Sequence, residues 1–144
     1  MTQSIRVLID SSFLFALNSP KDRHHGSALK VGRLAIRQFI IPDIVLAETA
    51  YMLRERIGQQ AVISFLDQIQ QPGFDLEPIG KSDLARARQI MMAYREADLD
   101  LADCCLMALS ERLNIHHICT FDLRDFRLFQ PNHVQHLLLL PADM

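Results

Sequence analysis

The chain has 144 residues, of which 49% are hydrophobic and 22% are charged, so its length and composition favour one domain with a packed core and exclude a disordered protein. Its net charge of −2 at pH 7 does not indicate a basic nucleic-acid-binding protein. No apolar run approaches the roughly 20 residues of a transmembrane helix, and the first residues lack the basic start and apolar stretch of a signal peptide.

The cysteines and the basic residues give further information on the kind of protein and on what it could bind. Cys104, Cys105 and Cys119 are odd in number, two of them are adjacent, and all lie among apolar residues. This pattern argues against a disulfide framework and predicts reduced core residues of a cytoplasmic protein. Twelve of the fifteen basic residues are arginine, which suits phosphate contacts and surface ion pairs equally well.

In the first half of the chain, residues 5–10 are almost continuously apolar, which predicts a buried strand. A loop over residues 18–22 precedes a helix predicted over about 23–37, and a short strand is predicted over 39–41. Pro42 suits the first turn of a helix running to about residue 57, and Gly58 suits its C-terminal cap.

In the second half, a helix is predicted over about 59–70 and a strand over 74–79. Ser82 is expected to cap a helix running to about residue 97, whose inner face is predicted to contain Leu84, Ala87, Met91 and Tyr94. A helix over about 101–113 and strands over 116–120 and 134–140 complete the chain. This alternation predicts an α/β fold: one domain over residues 1–144, with a central parallel β-sheet flanked by helices on both faces.

Four acids stand in unusually apolar surroundings: Asp10, Glu48, Asp103 and Asp122. Burying a charge is costly unless it is paired or bound to a metal. Asp10 and Asp122 fall at the carboxyl ends of predicted strands, and sites in parallel α/β sheets form beyond the carboxyl ends of strands. Carboxylates that converge from several segments suit a hard divalent cation, so we expect these acids to form a Mg²⁺ or Mn²⁺ site.

Each acid also has a purely structural interpretation. Asp10 and Asp122 could begin turns, and Glu48 could be a solvated helix residue. If Asp100 is the N-cap of its helix, Asp103 occupies a position where an acid simply favours the helix dipole. Three further acids leave the choice of ligands open: Asp98 and Asp100 lie close to Asp103 in sequence, and Asp125 is expected to cap a helix or to pair with Arg124 or Arg127.

Taken together, the motifs resemble those of the PIN-domain family, most closely its VapC-type toxin ribonucleases. The matching segments, in chain order, are Ile9–Ser12 (IDSS), Glu48 in an apolar helix, Leu101–Asp103 (LAD), and Thr120–Asp122 (TFD) with Asp125–Phe126 (DF) beyond. The resemblance covers residues 5–140 approximately. Each motif alone is weak, but the set in this order is fairly specific.

The resemblance implies roles for individual residues. Asp10, Glu48 and Asp103 would be the principal metal-site acids, with Asp122 as the fourth. The supporting hydroxyls would be those of Ser12 and Thr120. Family membership also implies endonucleolytic cleavage of RNA that depends on Mg²⁺ or Mn²⁺, a homodimer, and often a small antitoxin protein as partner.

Two interaction surfaces are predicted from the residues themselves. Arg54, Arg56 and Arg124 follow the acidic motifs and are candidates for binding RNA, with surface ion pairs as the alternative. The helix at 59–70 has apolar residues around a wider arc than one buried face requires, which predicts a homodimer. These residues are Val62, Ile63, Phe65, Leu66 and Ile69.

Two other functions compete with a metal-dependent endoribonuclease. A phosphatase could use Asp10 as a covalent nucleophile at a strand end, but the aspartyl-phosphate enzymes of this kind have a second acid two residues later, where this chain has Ser12. A non-catalytic PIN-like module could bind RNA or a protein without cutting. Such a module has no use for a costly acidic cluster, so the four acids favour the nuclease.

Overall fold

The structure is a computed structural model that describes residues 5–144. Its centre is a five-stranded sheet of order β3-β2-β1-β4-β5 in which every neighbouring pair is parallel. The strands are β1 Ile5–Ile9, β2 Ile36–Pro42, β3 Phe74–Glu77, β4 His117–Cys119 and β5 Leu138–Leu140. Because β1 lies between β2 and β4, the residues that follow β1 and β4 meet at one edge of the sheet.

Seven α-helices flank the sheet in the described part of the chain. They are α1 Ser11–Asn18, α2 His25–Val31, α3 Leu46–Arg56, α4 Gln59–Ile69, α5 Lys81–Ala93, α6 Leu101–Arg112 and α7 Leu123–Leu128. Helices α1 to α4 contact one another, whereas α6 packs with α5 and α7. The predicted single α/β domain, with a parallel sheet between helices, is confirmed.

The core is built mainly by the central strand and by α6. Val7, Leu8 and Ile9 of β1 are fully buried, as expected for a parallel strand that is covered on both faces. Every residue of α6 from position 103 to position 110 is buried. The three cysteines are buried and free, in agreement with the predicted core role. Among residues 5–144, no helix combines the length and the apolarity needed to cross a membrane.

Two helices were not predicted, and a third is shorter than expected. Helix α1 starts directly after β1, and α7 follows β4. Both are short, so they lack the several turns that make an apolar period recognisable in sequence. The predicted helix over 23–37 ends at Val31 because the chain turns into β2, where Ile36 pairs with Ile5 of β1. Sheet pairing over a long sequence distance therefore overrides the local preference.

Helix α5 buries a different set of residues from the predicted one. Its buried positions are Asp83, Ala87 and Ile90, whereas Leu84 is 42% exposed. Asp83 faces inward because its carboxylate accepts hydrogen bonds from Arg112 at 2.8 Å and from the backbone N–H of Gly80 at 2.9 Å. The N-cap is therefore Gly80, not Ser82, and a buried ion pair sets which face of the helix is turned toward the core.

Candidate metal centre

Asp10 lies at the junction between β1 and α1, where it is 4% exposed. Its Oδ1 accepts hydrogen bonds from the backbone N–H of Phe13 at 3.0 Å and from the hydroxyl of Ser12 at 2.8 Å. Its Oδ2 accepts a hydrogen bond from the hydroxyl of Thr120, which follows β4. Asp10 thus caps α1, and three hydrogen-bond donors fix the plane of its carboxylate.

The same two hydroxyls also hold the segment between β4 and α7. The backbone N–H of Phe121 donates to Ser12 Oγ at 2.9 Å, and that of Asp122 donates to Thr120 Oγ1 at 2.9 Å. Each hydroxyl therefore accepts from one chain segment and donates to Asp10. The hydrogen bonds of these two hydroxyls therefore fix the position of Asp122 relative to Asp10.

A group of three carboxylates lies beside this junction. Asp103, Asp122 and Asp125 each offer an oxygen atom within 4.8 Å of the other two. Asp103 is buried in the first turn of α6, Asp125 is in the first turn of α7, and Asp122 is exposed at its N-cap position. Neither Asp10 nor Glu48 is part of this group.

Asp125 is the acid that the sequence interpretation did not assign to the site. The predicted pair with Arg124 is present, with 3.2 Å between Nη1 and Oδ1. The carboxylate nevertheless lies with those of Asp103 and Asp122. Prediction of α7 would have found it, because residues at the N-cap and at the third helical position point to the same side of a helix start.

Glu48 stands at the rim of the junction. It lies in the first turn of α3 and is exposed, and its Oε2 accepts a hydrogen bond from the hydroxyl of Ser11 at 3.1 Å. Since Ser11 directly follows Asp10, this bond holds Glu48 against the start of α1. The sequence interpretation of Glu48 as a solvated helix residue is correct for its exposure, but its side chain is anchored.

Burial and repulsion by nearby carboxylates raise the pKa values of Asp10, Asp103 and Asp122. Burial raises the pKa of Asp10 from its ordinary value of 3.8 to about 6. Burial, followed by the charges of Asp100, Asp10 and Asp122, raises the pKa of Asp103 to about 8. The pKa of Asp122 is raised by burial and by the charges of Asp125 and Asp100. Within residues 5–144, neither Asp10 nor Asp103 forms a salt bridge, so no cationic side chain of this part of the chain is paired with them.

The chemistry of this donor set fits Mg²⁺ or Mn²⁺. All of the candidate ligand atoms are carboxylate or hydroxyl oxygens, which hard divalent cations prefer. Two bonds of about 2.1 Å place ligand atoms up to about 4.2 Å apart, so oxygens within 4.8 Å of one another need at most a small side-chain shift to share one ion. A cation would also offset the repulsion that raises the pKa values of Asp10 and Asp103.

Some acids near the proposed metal site also have the purely structural roles that the sequence allowed. Asp100 is the N-cap of α6, and its Oδ1 accepts from the backbone N–H of Asp103 at 2.8 Å. Asp98 is exposed, with a left-handed backbone at φ 54° and ψ 51°. Capping and metal binding use different lone pairs of a carboxylate, so these roles do not exclude one another.

The three predicted RNA-binding arginines occupy different parts of the surface. Arg124 is next to the carboxylate group, and its side chain is 71% exposed. Arg54 and Arg56 lie in the last turn of α3, about two helical turns from Glu48. The guanidinium of Arg56 lies 5.0 Å from the ring centroid of Phe15, away from the acids. Arg124 is therefore the best placed of the three, and the RNA contacts of all three stay a prediction.

Comparison with known proteins places this geometry in a family. A model of the PIN domain matches residues 7–129. The chain belongs to the PIN-domain family. The matched segment contains all four predicted acids and both hydroxyl residues, and it ends just after α7.

Individual PIN-domain relatives are distant in sequence and similar in fold. Ribonuclease VapC26 of Mycobacterium tuberculosis is 23% identical over 125 residues, which cover 87% of this chain and 93% of the relative. A second similar protein is VapC20 of Mycobacterium tuberculosis, whose crystal structure is described as that of a toxin that cleaves the sarcin–ricin loop. The two chains are 21% identical and superpose with a TM-score of 0.78, over 90% of this chain and 98% of the other. A toxin–antitoxin complex from Klebsiella pneumoniae is 19% identical with a TM-score of 0.64, covering 83% and 89%.

Proposed function

We propose that this PIN domain is a metal-dependent endoribonuclease that hydrolyses RNA phosphodiester bonds and acts as the toxin of a toxin–antitoxin pair. The observation that carries the proposal is a set of buried acids with raised pKa values and no cationic partner among the described residues. A relative named as a ribonuclease supports the choice of RNA as substrate, and a structural neighbour is described as a toxin that cleaves the sarcin–ricin loop.

The proposed ligands of the divalent cation are Asp10, Glu48, Asp103 and Asp122. Asp125 is a further candidate, because its carboxylate lies with those of Asp103 and Asp122. When bound, Mg²⁺ or Mn²⁺ would offset the repulsion among these acids and stabilise the negative charge that develops on the phosphate during hydrolysis. Ser12 and Thr120 are not proposed as ligands. Their hydroxyls orient Asp10, and hydrogen bonds of this kind commonly tune a metal ligand.

The chain's own residues also explain why RNA would bind only with the cation present. The clustered carboxylates repel the phosphate backbone, whereas Arg124 beside them offers one exposed positive charge. We expect RNA affinity to rise when Mg²⁺ or Ca²⁺ is added, because the cation reverses the local charge. The affinity should fall as salt rises, since phosphate contacts release counterions.

Cleavage of a labelled single-stranded RNA tests the proposal. The wild-type protein should cut it in Mg²⁺ or Mn²⁺ and not in chelator, and Asp103→Asn should lose at least about a hundredfold in rate. The matched control is Asp67→Asn, which removes an exposed acid of α4 and should leave the rate unchanged. A wild-type protein that binds RNA and never cuts it in either metal would favour the non-catalytic module.

A homodimer is supported by apolar side chains that the described structure leaves uncovered. On α4, Ile63 is 45% exposed and Leu66 is 47% exposed, whereas Phe65 is fully buried. The helix therefore has one apolar face in the core and a second one at the surface. We propose that a second copy of the chain covers Ile63 and Leu66.

An antitoxin partner is supported by the fold relatives that are toxin–antitoxin complexes, among them the one from Klebsiella pneumoniae. We propose that a small protein encoded beside this chain binds it and blocks cleavage. Co-expression of the two proteins, followed by a cleavage assay of the purified complex, tests this. A complex that cuts RNA at the rate of the free chain would contradict the proposed inhibition.

A further inference from the structure

A cavity of about 420 Å³ opens beside the acidic centre. It is bounded by α2, by the segment between β4 and α7, and by residues 141–144 after β5. Thr120, whose hydroxyl bonds Asp10, is part of its wall. A molecule in this cavity would therefore lie next to a substrate phosphate held at the acids, and the volume falls within the usual range for small-ligand sites.

The wall of this cavity contains a stack of flat rings. The ring of Phe121 lies nearly parallel to that of Phe13, with 5.7 Å between centroids and 11° between planes. The imidazole of His24 lies 4.3 Å from Phe121, again at 11°. Phe13 is buried, whereas His24 and Phe121 are half-buried and line the cavity. Such surfaces bind nucleobases, because every base has a π-face.

The cavity also has positively charged side chains in and near its wall. Lys30, in the last turn of α2, is exposed and lines the cavity, and Ser27 lies one turn before it. Arg23 donates from Nε to Nε2 of His24 at 3.2 Å, so that the imidazole accepts there and is held beside a guanidinium. The lining of the cavity thus includes one cation, Lys30, which suits contact with the phosphate that flanks a bound base.

We propose that this cavity binds one unstacked nucleobase of the RNA substrate, adjacent to the phosphate at the acidic centre. His24 stacks on the base, Ser27 offers a hydroxyl to its edge, and Lys30 contacts the neighbouring phosphate. The proposal rests on the proposed ribonuclease function and adds a determinant of which bond is cut. It explains how a chain of net negative charge selects single-stranded RNA, whose bases are free to leave the stack.

Binding of the four nucleoside 3′,5′-bisphosphates to the full chain tests the proposal without any cleavage, because these probes contain no phosphodiester bond. Backbone amide NMR signals of Ser27, Lys30 and Phe121 should shift with at least one base. His24→Ala should weaken that binding about five- to tenfold, and His24→Tyr, which keeps a ring for stacking, should restore it. His136→Ala is the matched control, since His136 is exposed and outside the cavity.

A second pair of variants distinguishes binding of the phosphate from recognition of the base. Lys30→Met should weaken all four bisphosphates alike, whereas Lys81→Met, at an exposed lysine on α5, should have no effect. In RNA cleavage, His24→Ala should redistribute the cut sites while metal-dependent cutting persists. Equal binding of ribose 5-phosphate and the bisphosphates would mean a phosphate site with no base recognition, and would overturn the proposal.

The two proposals fail in different ways. Metal-dependent RNA cleavage with no bisphosphate signal at the cavity would overturn the base subsite and leave the nuclease intact. A bisphosphate signal at the cavity in a protein that cuts no RNA in either metal would overturn the nuclease. Binding that is confined to the amides around Asp103 would likewise overturn the subsite, because the probe would then be held by the acidic centre alone.

Discussion

Replacement of Asp10 by Asn should stabilise the metal-free protein while it abolishes RNA cleavage. Asn keeps the size of the side chain and can still accept the hydrogen bond from Phe13 N–H that caps α1. It cannot carry the buried charge that a metal would neutralise. Stability and activity should therefore change in opposite directions.

The size of the gain follows from the pKa of Asp10. A rise from 3.8 to about 6, at about 1.4 kcal/mol per pH unit, means that ionised Asp10 costs about 3 kcal/mol of folding free energy. Between these two pKa values the folded state holds the proton more tightly than the unfolded state. The stability of the wild-type protein therefore falls as pH rises through this window. Asn loses one acceptor for the Thr120 hydroxyl, so we expect a gain of about 1–2 kcal/mol above pH 7.

Urea denaturation in chelator, at pH 4 and at pH 7.5, measures this difference. The variant should match the wild type or be slightly less stable at pH 4, because folded Asp10 is protonated there and unfolded Asp10, with its ordinary pKa of 3.8, is only partly ionised, so that little of the cost has developed. It should be clearly more stable at pH 7.5. Asp67→Asn again serves as the control, since an exposed acid should give the same small difference at both values.

Two results would refute this reasoning. One is an Asn variant that loses the same free energy at both pH values, which would mean that folding does not raise the pKa of Asp10. The other is cleavage by the variant at the wild-type rate with contaminating nuclease excluded, which would remove Asp10 from the site.

Further predictions concern the remaining parts of the account. Because the pKa of Asp103 is about 8, Mn²⁺ must displace its proton, and calorimetry should show affinity that rises about tenfold per pH unit between pH 6 and pH 8. Thr120→Val should lower the cleavage rate about 10–100-fold, with thermal denaturation as the check on folding. Arg124→Ala should weaken RNA binding and lower the slope of log affinity against log salt by about one unit. Ile63→Glu should convert the dimer to a monomer in light scattering at micromolar concentration, whereas Gln89→Glu, at an exposed position on α5, should not.

The sequence predicted the central strand well because this strand is a nearly continuous apolar run. Ile5–Ile9 is such a run, and a parallel strand covered on both faces requires one. The end of the helix after residue 23 was wrong because β2 is defined by its pairing with β1, which no local pattern reveals. The inner face of α5 was wrong because a buried Asp83 paired with Arg112 looks like a surface residue in sequence.

The sequence was enough to predict most of the acids of the candidate site, but not the contacts between segments that are distant in sequence. Asp10 and Asp103 could be selected because their apolar neighbours predict burial, and both are buried. Asp125 was missed because it joins the group only through α7, a six-residue helix. The cavity between α2 and the segment after β4 could not be predicted at all, since it brings His24 beside Phe121 from opposite ends of the chain.

Anomalous scattering from a crystal soaked in Mn²⁺ tests the central claim most directly. The account predicts a peak among the carboxylates of Asp10, Asp103 and Asp122, within about 2.0–2.4 Å of ligand oxygens, and its loss in Asp103→Asn. A soaked crystal with no peak there, or with Mn²⁺ bound only at acids elsewhere on the surface, would contradict the metal centre and with it the proposed hydrolysis of RNA.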